Sequence, residues 1–359
     1  MSECQSRRRT ALITGASGQD GSYLADLLIG KGYDVHGIVR RTSQIRRENI
    51  DGAREAATAS GATFALHYAN LSDPWSLARV IGEVRPDELY NLASESHVAI
   101  SFDEPENSAN VNGLGVLRLL EVQRHLVPEC RFVQASSADL FGSGSDTGFL
   151  GSPQEPLVFD ERSPFSPRSP YAIAKQFAHS IVRFYRDVYG LHASTGILFN
   201  HESPRRGKNF VSRKITATLA AIRRGEEDTL WLGDLNAFRD WGYAPDYVAA
   251  MWLIAQQDQP DDYVLATGEQ HSVREFVECA AASAGFKLEW EGSGLEERGI
   301  DRNTGSTIVR IDPRYFRRVD HSYRVGNASK AKVRLGWSPT VRFEELVHLM
   351  MDSDLRTPE

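Results

Sequence analysis

Apolar and polar positions alternate in blocks along the first half of the chain. ALITG (11–15) has the pattern of a buried strand, and SYLADLLIGKG (22–32) spaces its apolar residues as an amphipathic helix closed by Gly32. DVHGIVR (34–40), TFALHYANL (63–71), ELYNLA (88–93), RFVQASS (131–137) and ASTGILFN (193–200) read as further strands, with helical segments between them. This β-α-β alternation predicts an α/β fold, a Rossmann-type, doubly wound and mainly parallel sheet with helices on both faces. From 143 to 167 the texture turns to Gly, Ser and Pro and ends in DERSPFSPRSP, which reads as an active-site loop or lid. The stretches 201–247 and 285–330 are rich in Arg, Gly and aromatics, and read as a smaller, discontinuous C-terminal region that binds substrate. YVLAT (263–267) reads as a return to the sheet. The expected organisation is a sheet domain over 8–200, with sheet returns around 240–270, and a mostly substrate-binding region over 201–359.

TGASGQDG (14–21) sets Gly15, Gly18 and Gly21 at G-x-x-G-x-x-G spacing between a strand and a helix. Glycines there allow a tight turn and close backbone approach, while the helix start offers free N–H groups to a pyrophosphate. The flanking elements make this a dinucleotide site rather than an ordinary turn. The end of the second strand chooses between dinucleotides. A carboxylate there would hold a ribose 2′-hydroxyl, whereas this chain has Arg40 and Arg41 followed by Thr42 and Ser43. Guanidinium groups and hydroxyls suit a 2′-phosphate, so NADP is expected. A solvated basic loop, extended by Arg46 and Arg47, is the competing reading.

Tyr171 and Lys175 stand four apart and share one helical face. An ammonium beside the nicotinamide ribose stabilises a tyrosinate and lowers the phenol's pKa, which makes Tyr171 a base near neutral pH. Ser137, at a strand end, can hydrogen-bond the same substrate hydroxyl. Composition narrows the partners further. A net charge of −7 argues against a general nucleic-acid binder, although PRRG (204–207) can hold phosphates. Cys4, Cys130 and Cys279 form no CxxC pair, so free thiols in a reducing compartment and no metal site are expected. MSECQSRRRT lacks the apolar core of a signal peptide, and no apolar run approaches the ~20 residues that span a bilayer. A cytoplasmic protein without membrane or nucleic-acid partners is the expectation.

Longer stretches add a resemblance. TGASGQDGSYLADLLIGKGYDVHGIVRR, ELYNLASESHVAISFDEPENSANVNGLG, SPRSPYAIAK, GILFNHESPRRGKNFVSRKI, RDWGYAPDYVAAMW, YVLATGEQHSVREFVE and DPRYFR follow one another in order along nearly the whole chain. Together they resemble the GDP-mannose 4,6-dehydratase family of the extended short-chain dehydrogenase/reductase superfamily. The resemblance implies an internal redox cycle. Tyr171 takes the proton of the carbon-4 hydroxyl while a hydride passes to NADP. A carboxylate then removes the carbon-5 proton, water leaves from carbon 6, and the hydride returns to carbon 6. It also implies a GDP-sugar substrate, a retained NADP, and a homo-oligomer, dimer or tetramer. Catalytic roles are carried over to Ser137, Asp139, Tyr171 and Lys175. Cofactor contacts are carried over to Gly15, Gly18, Gln19, Asp20, Gly21, Arg40, Arg41, Thr42 and Ser43, then to Asn70, Leu71, Leu92, Ser94, Ser96, Lys175, His201 and Arg206. The nucleotide-sugar side is carried over to Glu95, Asn200, Lys214, Arg239 and Arg314, where Arg suits bidentate phosphate recognition.

The chain departs from the family's Ser-Thr-Ser-Glu-Leu-Tyr-Gly motif, which reads here Ser136-Ser137-Ala138-Asp139-Leu140-Phe141-Gly142. Ser137 keeps a hydroxyl, Ala138 removes one, and Asp139 shortens the carboxylate by one methylene. A misplacement of ~1 Å can cost about 10²-fold in rate. Asn70, Glu95 and Asn107 replace a usual Asp, Gln and Tyr, and RVDHSYRVGN (318–327) leaves the usual pattern after DPRYFR. The expected reaction is dehydration of GDP-mannose. The alternatives are a dehydratase for another GDP-sugar such as a GDP-manno-heptose, an NADP-dependent GDP-sugar epimerase or reductase, and a non-catalytic NADP-binding regulator.

Overall fold

A computed structural model describes residues 7–41, 48–142, 151–315 and 323–356. Seven strands form its main sheet: β1 (Thr10–Thr14), β2 (Asp34–Val39), β3 (Phe64–Tyr68), β4 (Glu88–Asn91), β5 (Arg131–Ser137), β6 (Ala193–Leu198) and β7 (Asp262–Leu265). They lie in the order β7-β6-β5-β4-β1-β2-β3, parallel throughout. Side chains alternate across this sheet, as a period of two requires. Ala11 and Ile13 point to the layer of α1 (Gln19–Gly30), α2 (Asp51–Ser60), α7 (Ala244–Ala255) and α9 (Ser329–Leu335). Leu12 between them meets the opposite layer of α3 (Pro74–Val84), α4 (Gly115–Leu126) and α5 (Pro170–Tyr189). A third apolar cluster belongs to the C-terminal half. There α6 (Val211–Arg224), α8 (Val273–Ser283) and α10 (Phe343–Arg356) pack over a four-stranded sheet, with Trp241 against Phe276 and Phe343.

The chain reaches that C-terminal cluster after β6, comes back through α7 and β7, and leaves again. Tyr247, Met251 and Ile254 of α7 are fully buried against the layer that contains α1, so the sheet core draws on residues past 240. Several strands end short of their apolar runs, β3 and β6 among them. β3 stops at Tyr68 because Asn70 accepts from the Ser72 N–H and turns the chain. β6 stops at Leu198, and Asn200–Glu202 pairs separately with Trp241–Tyr243. The Ser/Pro-rich segment read as a loop contains a strand, Leu157–Phe159, paired in parallel with Arg324–Gly326. Its residues 143–150 lie outside the described residues. Among the described residues no helix is long and apolar enough to cross a membrane.

Candidate active site

The carboxyl ends of β1, β2, β4, β5 and β6 open into one cleft of about 1280 Å³, at the point where the strand order reverses between β1 and β4. Its floor is the glycine turn. Gly15 holds a left-handed φ of 70°, and a Cβ on Gly21 would sit 2.3 Å from the Gly15 carbonyl oxygen, so neither position accepts a side chain. Gly18 caps α1 without a side-chain bond, leaving the first N–H groups of the helix turned to the cleft. Beside the turn, the Thr14 hydroxyl donates to Asn91 Oδ1 at 2.6 Å and accepts from the Leu92 and Ala93 N–H groups. That knot fixes the segment carrying Leu92, Ser94 and Ser96 on the cleft wall. Arg40, Asn70 and Leu71 line the same wall. Arg40, Arg41 and Asn70 also border a hollow of about 590 Å³ next to it, where Arg41 lies over the Tyr68 ring at 5.2 Å. Thr42 and Ser43 lie outside the described residues.

Asp20 and His201 face each other at 3.0 Å, and the other ring nitrogen of His201 lies 2.8 Å from the Phe199 carbonyl. Two acceptors on two ring nitrogens call for the doubly protonated imidazolium. Burial opposes the His201 cation, yet Asp20 outweighs it and raises the His201 pKa. Burial likewise opposes the Asp20 carboxylate, but His201 and the Gln19 amide bring it down to about 2. Gln19 reaches on to the His201 carbonyl and to Ser203, so the turn is tied to the start of the C-terminal half.

Tyr171 stands at the start of α5, where Ser169 caps the helix by accepting from the Ala172 N–H and Pro170 occupies the first turn. Lys175, one turn on, is buried, and its Nζ donates to the Ala135 carbonyl at 3.0 Å. Burial brings Lys175 down to about 8, against the pull of Asp20. In the free protein the Tyr171 phenol pKa lies above its ordinary value. Burial and the Asp139 carboxylate push it up, and the Ser137 hydroxyl offsets only part. Lys175 points its ammonium at the Ala135 carbonyl, 5.7 Å from the centre of the tyrosine ring.

Ser137 ends β5 and caps the next turn by accepting from the Asp139 N–H at 3.2 Å. Gly142 closes that turn at φ 64°. Asp139 is half-exposed in the cleft and ion-paired to Arg324, which sequence reasoning did not single out. Arg168, His97 and Phe210 also line the cleft; they lie within the stretches that carry the resemblance, where the sequence reading gives none of them a role. For Arg324, only the departure of 318–327 from its usual form pointed near it. Of the residues expected on the nucleotide-sugar side, Asn200 and Arg239 line the cleft, and Arg206, expected at the cofactor, lines it as well. Glu202, buried, fixes Arg206 at 3.0 Å. Lys214 and Arg314 are not on the cleft wall. They meet at Tyr315, 4.3 and 5.7 Å from its ring centre, and Arg314 is paired to Asp312. Glu95 is also off the wall, its N–H bonded to Asn112, while its neighbours Ser94 and Ser96 are on it.

A profile of the GDP-mannose 4,6 dehydratase family matches residues 12–350. The chain is 47% identical to a GDP-mannose 4,6-dehydratase of Vibrio cholerae over 364 residues, covering 98% of this chain and 95% of that one. It is 47% identical to the GDP-mannose 4,6 dehydratase of Homo sapiens over 351 residues, covering 97% and 92%. Among solved structures, the UDP-glucose 4-epimerase of Thermus thermophilus in complex with NAD superposes with a TM-score of 0.75 at 25% identity, covering 96% of this chain and 98% of that one.

Proposed function

The chain belongs to the GDP-mannose 4,6-dehydratase family, and from that premise we propose that it converts GDP-mannose to GDP-4-keto-6-deoxymannose with a retained NADP. The observation that carries the reading is the convergence of Ser137, Asp139 and Tyr171 on one wall of a cleft floored by the glycine turn. The turn suits a dinucleotide, because the missing Cβ atoms of Gly15 and Gly21 and the uncapped start of α1 leave room and N–H donors for a pyrophosphate. Arg40 and Arg41, both exposed beside the adjoining hollow, favour a 2′-phosphate over the bare ribose of NAD. When bound, the oxidised nicotinamide supplies positive charge and accepts a hydride from sugar carbon 4, to be returned at carbon 6.

The chain's own residues handle the protons. Tyr171, held protonated in the free protein, becomes a base when positive charge gathers beside it, and takes the proton of the carbon-4 hydroxyl that Ser137 also holds. The new ketone acidifies carbon 5. Asp139 removes that proton, the bond pair moves into the enolate and then expels the carbon-6 hydroxyl, which takes the proton from Asp139 and leaves as water. When the hydride returns to carbon 6, carbon 5 regains a proton that balances the one Tyr171 took from the carbon-4 hydroxyl. Asn200 and Arg239 hold the diphosphate of the sugar nucleotide, and Arg206 stands on the cofactor side. Incubation with GDP-mannose alone should give a product lighter by one water with no added cofactor consumed. An unchanged mass would overturn the reading.

A homo-oligomer belongs to this proposal. Ile173, Phe177, Phe184 and Val188 form an exposed stripe along α5, with Val188 58% exposed, a pattern that suits burial against a second copy.

A further inference from the structure

The Arg324 side chain engages three acceptors of one turn. Its guanidinium donates from Nη1 to the carbonyls of Gly142 at 2.9 Å and Ala138 at 3.4 Å, and from Nη2 to Asp139 Oδ1. Arg324 is only 13% exposed at its side chain, against 31% for Asp139. Its backbone has little freedom. The strand Arg324–Gly326 pairs with Leu157–Phe159, and the Asn327 N–H donates to the Phe159 carbonyl at 2.8 Å. Asp240, itself 1% exposed, accepts from the Gly326 N–H at 3.2 Å and from Thr267 and Gly268. A Cβ at Gly326 would lie 2.3 Å from Ala266 and 2.6 Å from the Phe199 ring, so the strand is pressed onto the core beneath the cleft.

A carboxylate on one methylene has two free torsions, and ordering them inside a reaction step costs rate. Here the order is built in. Ser137 fixes the backbone of Asp139, and Arg324 fixes one of its two oxygens. We propose that Arg324 is a positioning residue for the elimination half of the reaction: it acts through Asp139, presenting the second carboxylate oxygen to the carbon-5 proton. The proposal rests on the dehydratase reading above. The opposing role, a phosphate ligand, would require the guanidinium to leave the turn whose two carbonyls and carboxylate it already satisfies.

The test compares the intact protein with Arg324→Gln, Arg324→Lys, Asp139→Asn and the double variant Asp139→Asn/Arg324→Gln, on GDP-mannose in heavy water. Oxidation at carbon 4 is read by nicotinamide absorbance, and proton exchange at carbon 5 by deuterium in recovered sugar. Arg324→Gln should slow carbon-5 exchange and product formation by about 10²-fold, leave the oxidation phase, and leave KM near that of the parent. Arg324→Lys, one cation without the fork, should restore part of the exchange rate. The double variant should be no slower in exchange than Asp139→Asn alone, because both changes act on one group. Three results would overturn the proposal: a raised KM with kcat unchanged, which marks a phosphate ligand; equal slowing of oxidation and exchange in both Arg324 variants, which marks a structural role; or an unaffected Arg324→Gln. A parent protein that neither oxidises nor dehydrates GDP-mannose would instead overturn the dehydratase reading, and this inference with it.

Discussion

Lys175 carries a cation in a place that disfavours one. Buried beneath the cleft, it titrates near 8 and not near its ordinary value of 10.5. The sign of the linkage follows. Between about 8 and 10.5 the unfolded chain holds the proton that the folded protein has released, so this group's penalty weighs on the fold below 8 and fades as pH rises through that window. Lys175→Met should therefore raise the melting temperature at neutral pH while lowering kcat by about 10²-fold or more. A calorimetric scan beside a turnover assay checks both halves; a drop in melting temperature would show that the bond to Ala135 outweighs the cost of burial. His201 and Asp20 behave in the opposite sense. The raised His201 pKa lends stability that is lost as pH climbs through it, and the lowered Asp20 pKa lends stability that is lost as pH falls through about 2, so the pair holds the glycine turn best in between. Single residues of this kind were partly legible. The Tyr171–Lys175 spacing reveals a shared helical face, but the burial and the Asp139 carboxylate that raise the phenol's pKa in the free protein cannot be read from spacing.

At the scale of elements, the strands of the main sheet announced themselves because a parallel sheet covered on both sides needs short, continuous apolar runs. The strand Leu157–Phe159 did not. It is three residues long, set in Ser and Pro, and its partner at 324–326 lies far along the chain. The link between Asp139 and Arg324 depends on that pairing, so it could not be foreseen locally. Lys214 and Arg314 show the converse, cations suited to phosphate that the fold gathers around Tyr315 off the cleft wall. The turn after β5 provides a sharp test of element geometry. A Cβ on Gly142 would come within 2.0 Å of the Ser166 carbonyl oxygen, at a φ of 64°. Gly142→Ala should cost more than about 1 kcal/mol in urea unfolding and reduce carbon-5 chemistry by displacing Asp139. Parent-like stability and rate together would mean that the turn relaxes freely.

For the whole molecule, the apolar stripe on α5 makes a measurable claim about assembly. Phe177→Glu with Phe184→Glu should shift the protein towards a smaller species in light scattering while circular dichroism stays that of the parent, since both side chains are exposed on the single chain. A parent already monomeric at micromolar concentration would remove the claim. The two-core organisation also bears on how the protein is made. β7 pairs with β6 in the main sheet, yet between them the chain lays down α6 and the beginning of the second core. During synthesis α1 therefore lacks its neighbour α7 until residue 255 has emerged, and the sheet stays one strand short until residue 265 has followed. By then part of the C-terminal layer is already waiting to fold. The half that carries the main sheet cannot complete its packing before part of the C-terminal half has been made. The two must mature together, and a nascent chain stalled before α7 would display an apolar surface suited to chaperones rather than to ligand.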